Sequence, residues 1–163
     1  MSVTDTTAPV ITLVGDTQIT VEVGSTYTDL GATASDNYDG DISADIVIGG
    51  ESVDTSIVGQ YTVTYNVSDD AGNAATEVTR TVNVTDTTIP VITLNGDAQI
   101  TVEVGTTYTD LGATASDNYD GDITADISVT NPVDTSVIGS YTCLLYTSPS
   151  PRDQRGSRMP SSA

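Results

Sequence analysis

Residues 5–42 read DTTAPVITLVGDTQITVEVGSTYTDLGATASDNYDGDI, and residues 86–123 read DTTIPVITLNGDAQITVEVGTTYTDLGATASDNYDGDI, so the chain states one motif twice. Between 5–48 and 86–129 only seven of 44 positions differ, nearly all by small swaps such as Ser25 for Thr106 or Ile48 for Val129. The offset of 81 slips to 80 where IGGESVDTS faces VTNPVDTS, a one-residue change of the sort that turns absorb and strands do not. A period of about 80 residues is too long for the roughly 20–50-residue units of solenoids and long enough for a small domain with its own core. The chain is therefore read as tandem domains.

Laid over the internal junction TVNVTDTTIP, the opening MSVTDTTAP places Val3 on Val84 and Thr4 on Thr85, so residues 1–4 read as the end of a preceding repeat. Residues 5–85 form the first repeat and 86–142 the second, truncated one. After Thr142 the expected VTYNVSDDAGN gives way to CLLYTSPSPRDQRGSRMPSSA. Residues 143–153 resemble the translation of a sequencing adapter, and 143–163 are read as a non-native, disordered tail. Tyr141, Cys143 and Leu145 nevertheless continue an alternating apolar face, enough for a short strand.

Residues 1–142 hold 22 acidic residues against Arg80 alone, a net charge of −21, with neither lysine nor histidine. Such a surface repels nucleic acid and anionic membranes and favours divalent cations, or simply keeps the protein soluble. Cys143 is the single cysteine, so no disulfide framework is available. No apolar run approaches the roughly 20 residues of a membrane span, and membrane insertion is not expected.

Thr, Val and Ile dominate, and no stretch shows the 3.6-residue apolar period of an amphipathic helix. Ile19, Val21 and Val23 alternate with polar residues, as do Tyr61, Val63, Tyr65 and Val67; both runs predict half-buried antiparallel strands. Further strands are expected at 10–13, 26–30, 42–48 and 76–84, with turns at Gly15-Asp16, Gly24, 36–41, Gly49-Gly50, Gly59 and 69–73. Six or seven short strands in 80 residues predict an all-β fold, a β-sandwich per repeat.

DTTAPVITLVGD, YTDLGATASDNYDGDI, VDTSIVGQYTVTYNVSDDAGN and the closing TVNV, in this order, resemble the Ig-like repeats of bacterial surface proteins, a type of module also found beside insecticidal crystal toxins and in hyaline-repeat proteins. The resemblance spans residues 5–142 and implies tandem extracellular Ig-like β-sandwiches serving as spacer or adhesion modules. The second copy departs from it by lacking the DDAGN turn and the last strand.

Two acidic sets are candidate calcium sites. The first is the DNYDGD turn, with Asp36, Asn37, Asp39 and Asp41 repeated as Asp117, Asn118, Asp120 and Asp122; several oxygen donors in one turn suit a hard cation. It is no EF-hand, because the positions that would need glycine and glutamate are Ile42 and Ile48. The competing reading is a tight turn closed by its own side chains. The second set is Asp69, Asp70 and Asp86 at the joint between repeats, where a cation would stiffen the array. Here the alternative is a stiff extended entry imposed by Pro90 on Ile89.

Enzymatic chemistry is not expected: neither repeat contains His or Cys, and no nucleophile elbow or phosphate loop appears. Of the tyrosines, Tyr61 and Tyr65 share a face with Val63 and Val67 and are expected in the core. Tyr38, inside the acidic turn, is the one expected to be exposed, where it could meet a hydroxyl-rich ligand. The sequence thus predicts a non-catalytic, extracellular stalk or adhesion module whose partners are neighbouring repeats, with an accessory, polysaccharide-contacting module of a secreted hydrolase or toxin as the alternative.

Overall fold

A computed structural model describes residues 1–147. The chain divides into two compact units, the first comprising Met1–Thr85 and the second starting at Asp86.

Unit 1 is a two-sheet sandwich. One sheet joins β1 (Val10–Leu13), β3 (Ala32–Asp36) and β4 (Gly40–Asp41) in the order β1-β3-β4. The other joins β2 (Gln18–Glu22), β5 (Val47–Gly50), β6 (Gly59–Asn66) and β7 (Val78–Thr85) in the order β2-β7-β6-β5. All pairs are antiparallel except β2 on β7, which run parallel with Ile19 opposite Val82 and Val21 opposite Val84. Between the sheets lie Ile11, Ala34 and Ile42 from one side and Val63, Tyr65, Val67 and Val82 from the other. The period-2 pattern of β6 and β7 delivers these side chains inward while threonines and asparagines face outward.

Expected strands at 10–13, 19–23, 61–67 and 76–84 each have an observed counterpart. The expected strand at 26–30 has none: these residues run extended without a ladder, since no neighbouring chain pairs with them. The expected strand at 42–48 begins instead with a 3-10 turn, Ser43–Asp45, and pairs only from Val47. Ser43 causes this, because its hydroxyl bonds the Ala34 amide at 2.9 Å and ties the segment back to β3. Gly49-Gly50 and Gly59 prove to lie within strands. At Gly50, φ is +86° and a β-carbon would come within 2.3 Å of the Thr62 carbonyl oxygen, so the close approach of β5 to β6 requires glycine.

Unit 2 repeats the first sheet with β8 (Val91–Leu94), β9 (Ala113–Asp117) and β10 (Gly121–Asp122), in the register of its counterpart. Of the second sheet it carries β11 (Ile127–Thr130) and β12 (Leu144–Thr147). Among the described residues nothing corresponds to β2 or β7, and Ala115 is the one buried apolar side chain of this unit. The truncation expected for the second repeat is thus a missing part of one sheet. Ordered structure passes the expected boundary at 142, since alternation of Tyr141, Cys143 and Leu145 suffices for β12; residues 148–163 of the expected tail lie outside the described residues.

Candidate functional site

The DNYDGD turn is closed by its first aspartate. One carboxylate oxygen of Asp36 accepts the Tyr38 amide at 2.7 Å and the Asp39 amide at 3.2 Å. Gly40 completes the turn at φ +75°. Asp117 does the same for Tyr119 and Asp120, at 2.8 and 3.1 Å. In both units the second carboxylate oxygen of this aspartate is buried and accepts no hydrogen bond.

That second oxygen faces other carboxylates. In unit 1, oxygens of Asp5, Asp36, Asp39 and Asp69 all lie within 4.8 Å of one another. A cation bound at about 2.3–2.6 Å from each ligand allows this span. Without a counter-ion, each pair of carboxylates at about 4 Å repels by about 4 kcal/mol at an effective dielectric of about 20. Three segments build the group: the lead into β1, the turn after β3, and the loop after β6. Asp5 accepts the Thr7 amide at 3.0 Å with one oxygen, and its other oxygen is buried and unbonded. Asp69 is held by Asn73, whose amide and side chain both reach it at 2.7 Å. Burial pushes the Asp69 carboxyl up, but the Asn73 side chain and the amides of Asn73, Gly72 and Ala71 together hold it below the ordinary value.

The remaining expected ligands stand apart from this group. Asp41 is engaged by Ser43, accepting its hydroxyl at 2.6 Å and its amide at 3.0 Å, and the hydroxyl chiefly lowers its carboxyl pKa. Asn37 is exposed. Asp70 is exposed too and contributes its amide, which donates to Asp39 at 3.0 Å. In unit 2 Asp86, Asp117 and Asp120 come together, whereas Asp122 accepts the Thr124 amide at 3.0 Å and Asn118 is exposed. Thus Asp69 and Asp86, expected in one set at the joint, each find partners inside their own unit. The position matching Asp69 in the second repeat is Pro149, outside the described residues. Sequence reading missed Asp5, although the repeat register that pairs it with Asp86 carried the signal.

A second polar constellation escaped sequence reading altogether. Arg80 is fully buried in β7 and forms an ion pair with Asp29. Its guanidinium also donates to the carbonyls of Asp16 at 3.1 Å, Gly31 at 3.2 Å and Val14, and to the Tyr65 hydroxyl at 3.1 Å. Tyr65, itself fully buried, donates to Asp29 at 2.7 Å, and its ring lies 5.6 Å from the guanidinium. Burial, then the Asp29 carboxylate, push the Tyr65 phenol far up, so it remains a donor. The available signal was position: Arg80 occupies an inward slot in the alternation Val78, Arg80, Val82, Val84. This is a structural staple, with no open site beside it that would use the charge.

Tyr38 is 81% exposed, and Tyr65 is buried with Tyr61 half-buried beside it. No helix among the described residues is long and apolar enough to cross a membrane.

A family model described as bacterial surface protein, Ig-like domain matches residues 11–84 and 92–155. Pesticidal crystal protein Cry22Aa of Bacillus thuringiensis is 31% identical over 134 residues, which cover 76% of this chain and 18% of that protein. The chain therefore spans less than a fifth of the length of this curated relative. Among solved structures, the lipoprotein BT2262 from Bacteroides thetaiotaomicron is 30% identical with a TM-score of 0.43, covering 53% of this chain and 46% of its own. The structure of CBM51-2 in complex with GlcNAc and INT domains from Clostridium perfringens ZmpB is 23% identical with a TM-score of 0.39, covering 85% of this chain and 26% of its own.

Proposed function

This chain belongs to the bacterial surface protein Ig-like domain family, and on that premise we propose that it is a non-catalytic extracellular spacer whose beads are stiffened by a divalent cation, calcium by its ligand chemistry. The observation that carries the reading is the carboxylate knot of Asp5, Asp36, Asp39 and Asp69, with buried, unbonded oxygens on Asp5 and Asp36. Hard oxygen ligands from three segments suit Ca²⁺ better than softer metals. An ion there ties the first residues of the bead to two loops at one end of the sandwich. Asp86, the repeat counterpart of Asp5, directly follows the last residue of β7. A cation held by Asp86, Asp117 and Asp120 would leave no slack residue between β7 and the next bead's clamp, which is the mechanical requirement of a stalk.

Calorimetric titration of the full chain with Ca²⁺, paired with melting in calcium and in chelator, tests the cation. Saturable binding and a raised melting temperature are expected; coincident curves would remove calcium from the reading. Asp36→Asn weakens binding by about tenfold or more while leaving the Asx turn in place.

A second reading is favoured by Tyr38, a fully presented aromatic among carboxylates, as in surfaces that meet hydroxyl-rich ligands. Under it the bead is an accessory module that touches polysaccharide. A glycan array separates the two: saturable binding lost in Tyr38→Ala supports the accessory module, and an array without hits leaves the spacer.

A further inference from the structure

Residues 18–24 and 99–105 are the same seven residues, QITVEVG. In unit 1 they supply β2, laid parallel on β7, and the ladder continues through the Val23 amide to the Thr85 carbonyl at 2.8 Å. In unit 2 the same residues form no strand, and Ile100, Val102 and Val104 are 52, 40 and 47% exposed. The neighbouring lane is filled, however. β12 lies on β11 with Val129 opposite Leu145 and Ser128 opposite Tyr146, which repeats the pairing of Ile48 with Tyr65 and Val47 with Asn66 in unit 1. Unit 2 thus has the lanes of β5 and β6, and the apolar edge that β2 offers, with no strand in the β7 lane among the described residues.

The charge that β7 answers is also in place. Asp110 is the repeat counterpart of Asp29 and accepts the Gly112 amide at 2.9 Å, as Asp29 accepts that of Gly31 at 3.3 Å. The Asn95 amide bonds the Gly112 carbonyl just as Val14 bonds Gly31, so the carbonyls that surround Arg80 in unit 1 have their equivalents. Arg80, the one arginine among the described residues, is held by Asp29.

We propose that unit 2 is a one-strand acceptor: it takes up, by strand addition, a β7-type segment from a second molecule, an extended V-T-R-T-V-N-V-T run whose arginine meets Asp110. Unit 1 shows what covers QITVEVG when the lane is full. The incoming backbone bonds to β12 on one side and to 99–104 on the other, and alternate valines cover the edge that is now wet. Specificity lies with the arginine, since a neutral residue there leaves Asp110 unanswered as it is desolvated.

The test adds a fluorophore-labelled peptide with the sequence of residues 77–85, EVTRTVNVT, to the full chain and follows anisotropy. Saturable one-to-one binding is expected. It weakens at least tenfold when glutamine replaces the peptide's arginine, and likewise in Asp110→Asn; in Val102→Asp, a change at an exposed position, it is lost. No saturable binding up to millimolar peptide overturns the proposal. So does binding that survives both Val102→Asp and Asp110→Asn, which would place the peptide elsewhere, and so does self-association of the chain through these residues that the peptide fails to compete.

Discussion

Unit 1 and unit 2 start from nearly the same residues and end differently. Over the first sheet they agree down to the register: Ile11 faces Ala34 in one and Ile92 faces Ala115 in the other. Over the second sheet they part, and QITVEVG is a strand in unit 1 and a wet loop in unit 2. Local propensity is identical in the two copies, so propensity is not what makes β2 a strand. Its ladder to β7 is, together with the cover that Val82 and Val84 provide at 0 and 1% exposure. A buried valine contributes roughly 1.5–3 kcal/mol, and unit 2 has neither.

The comparison can be broken most sharply at Arg80. Arg80→Met leaves Asp29 without its cation and should destabilise unit 1 by about 3 kcal/mol, read by denaturant unfolding of the full chain with unit-resolved hydrogen exchange. Asp110→Asn, the matching perturbation in unit 2, should move stability by less than about 0.5 kcal/mol. Equal effects in the two units would mean that the staple carries little.

A smaller effect is expected from Tyr65→Phe. It removes a hydroxyl that reaches both Asp29 oxygens at 2.7 Å and should cost about 1.5–2 kcal/mol. Leu145 holds the corresponding place in unit 2, opposite Val129, and has no hydroxyl to lose.

Acid should separate the units next. Burial raises the Asp29 carboxyl, but the Tyr65 hydroxyl, the Gly31 amide and Arg80 outweigh it and leave it below the ordinary value. A folded-state pKa under the unfolded one gives stability that is present above about pH 4 and lost as pH falls through the folded pKa. Asp41 and Asp54 are lowered by Ser43 and Ser56 as Asp122 and Asp134 are by Thr124 and Ser136, so those terms are common to both units. Unit 1 should therefore show the steeper decline below pH 4, and Arg80→Met should flatten it; parallel acid limbs would contradict the assignment to Asp29.

The smallest contrast uses one substitution twice. Val21→Thr, in a paired strand, should cost about 1 kcal/mol, whereas Val102→Thr, at a position 40% exposed, should cost close to nothing. If the exchange rates of both units respond alike, residues 99–104 are packed in solution and the difference between the copies is smaller than described.

Much of the metal site was legible from residue types, since Asp36, Asp39, Asp69, Asp86, Asp117 and Asp120 were all candidates before any coordinates. Their grouping was not legible. Asp69 lies some 30 residues from Asp39 in sequence and joins it only because the loop after β6 returns to the same end of the sandwich as the turn after β3. Asp41 looked equivalent to Asp39 but was claimed by Ser43, a competition between neighbours that composition does not rank. The 3-10 turn at Ser43–Asp45 was missed for the same reason: its cause is a hydroxyl contact to β3.

From its residues alone the chain declared two beads, their all-β character, their acidity and the inward faces of β6 and β7, because repetition, composition and period-2 alternation are local properties. Tertiary structure alone decided which of two identical segments becomes a strand, which aspartates share a cation-sized space, and that the lone arginine of the repeats is interior. Each of those outcomes depends on what a distant segment brings alongside, and backbone hydrogen bonds, carboxylate groups and buried charges are completed only by that second partner.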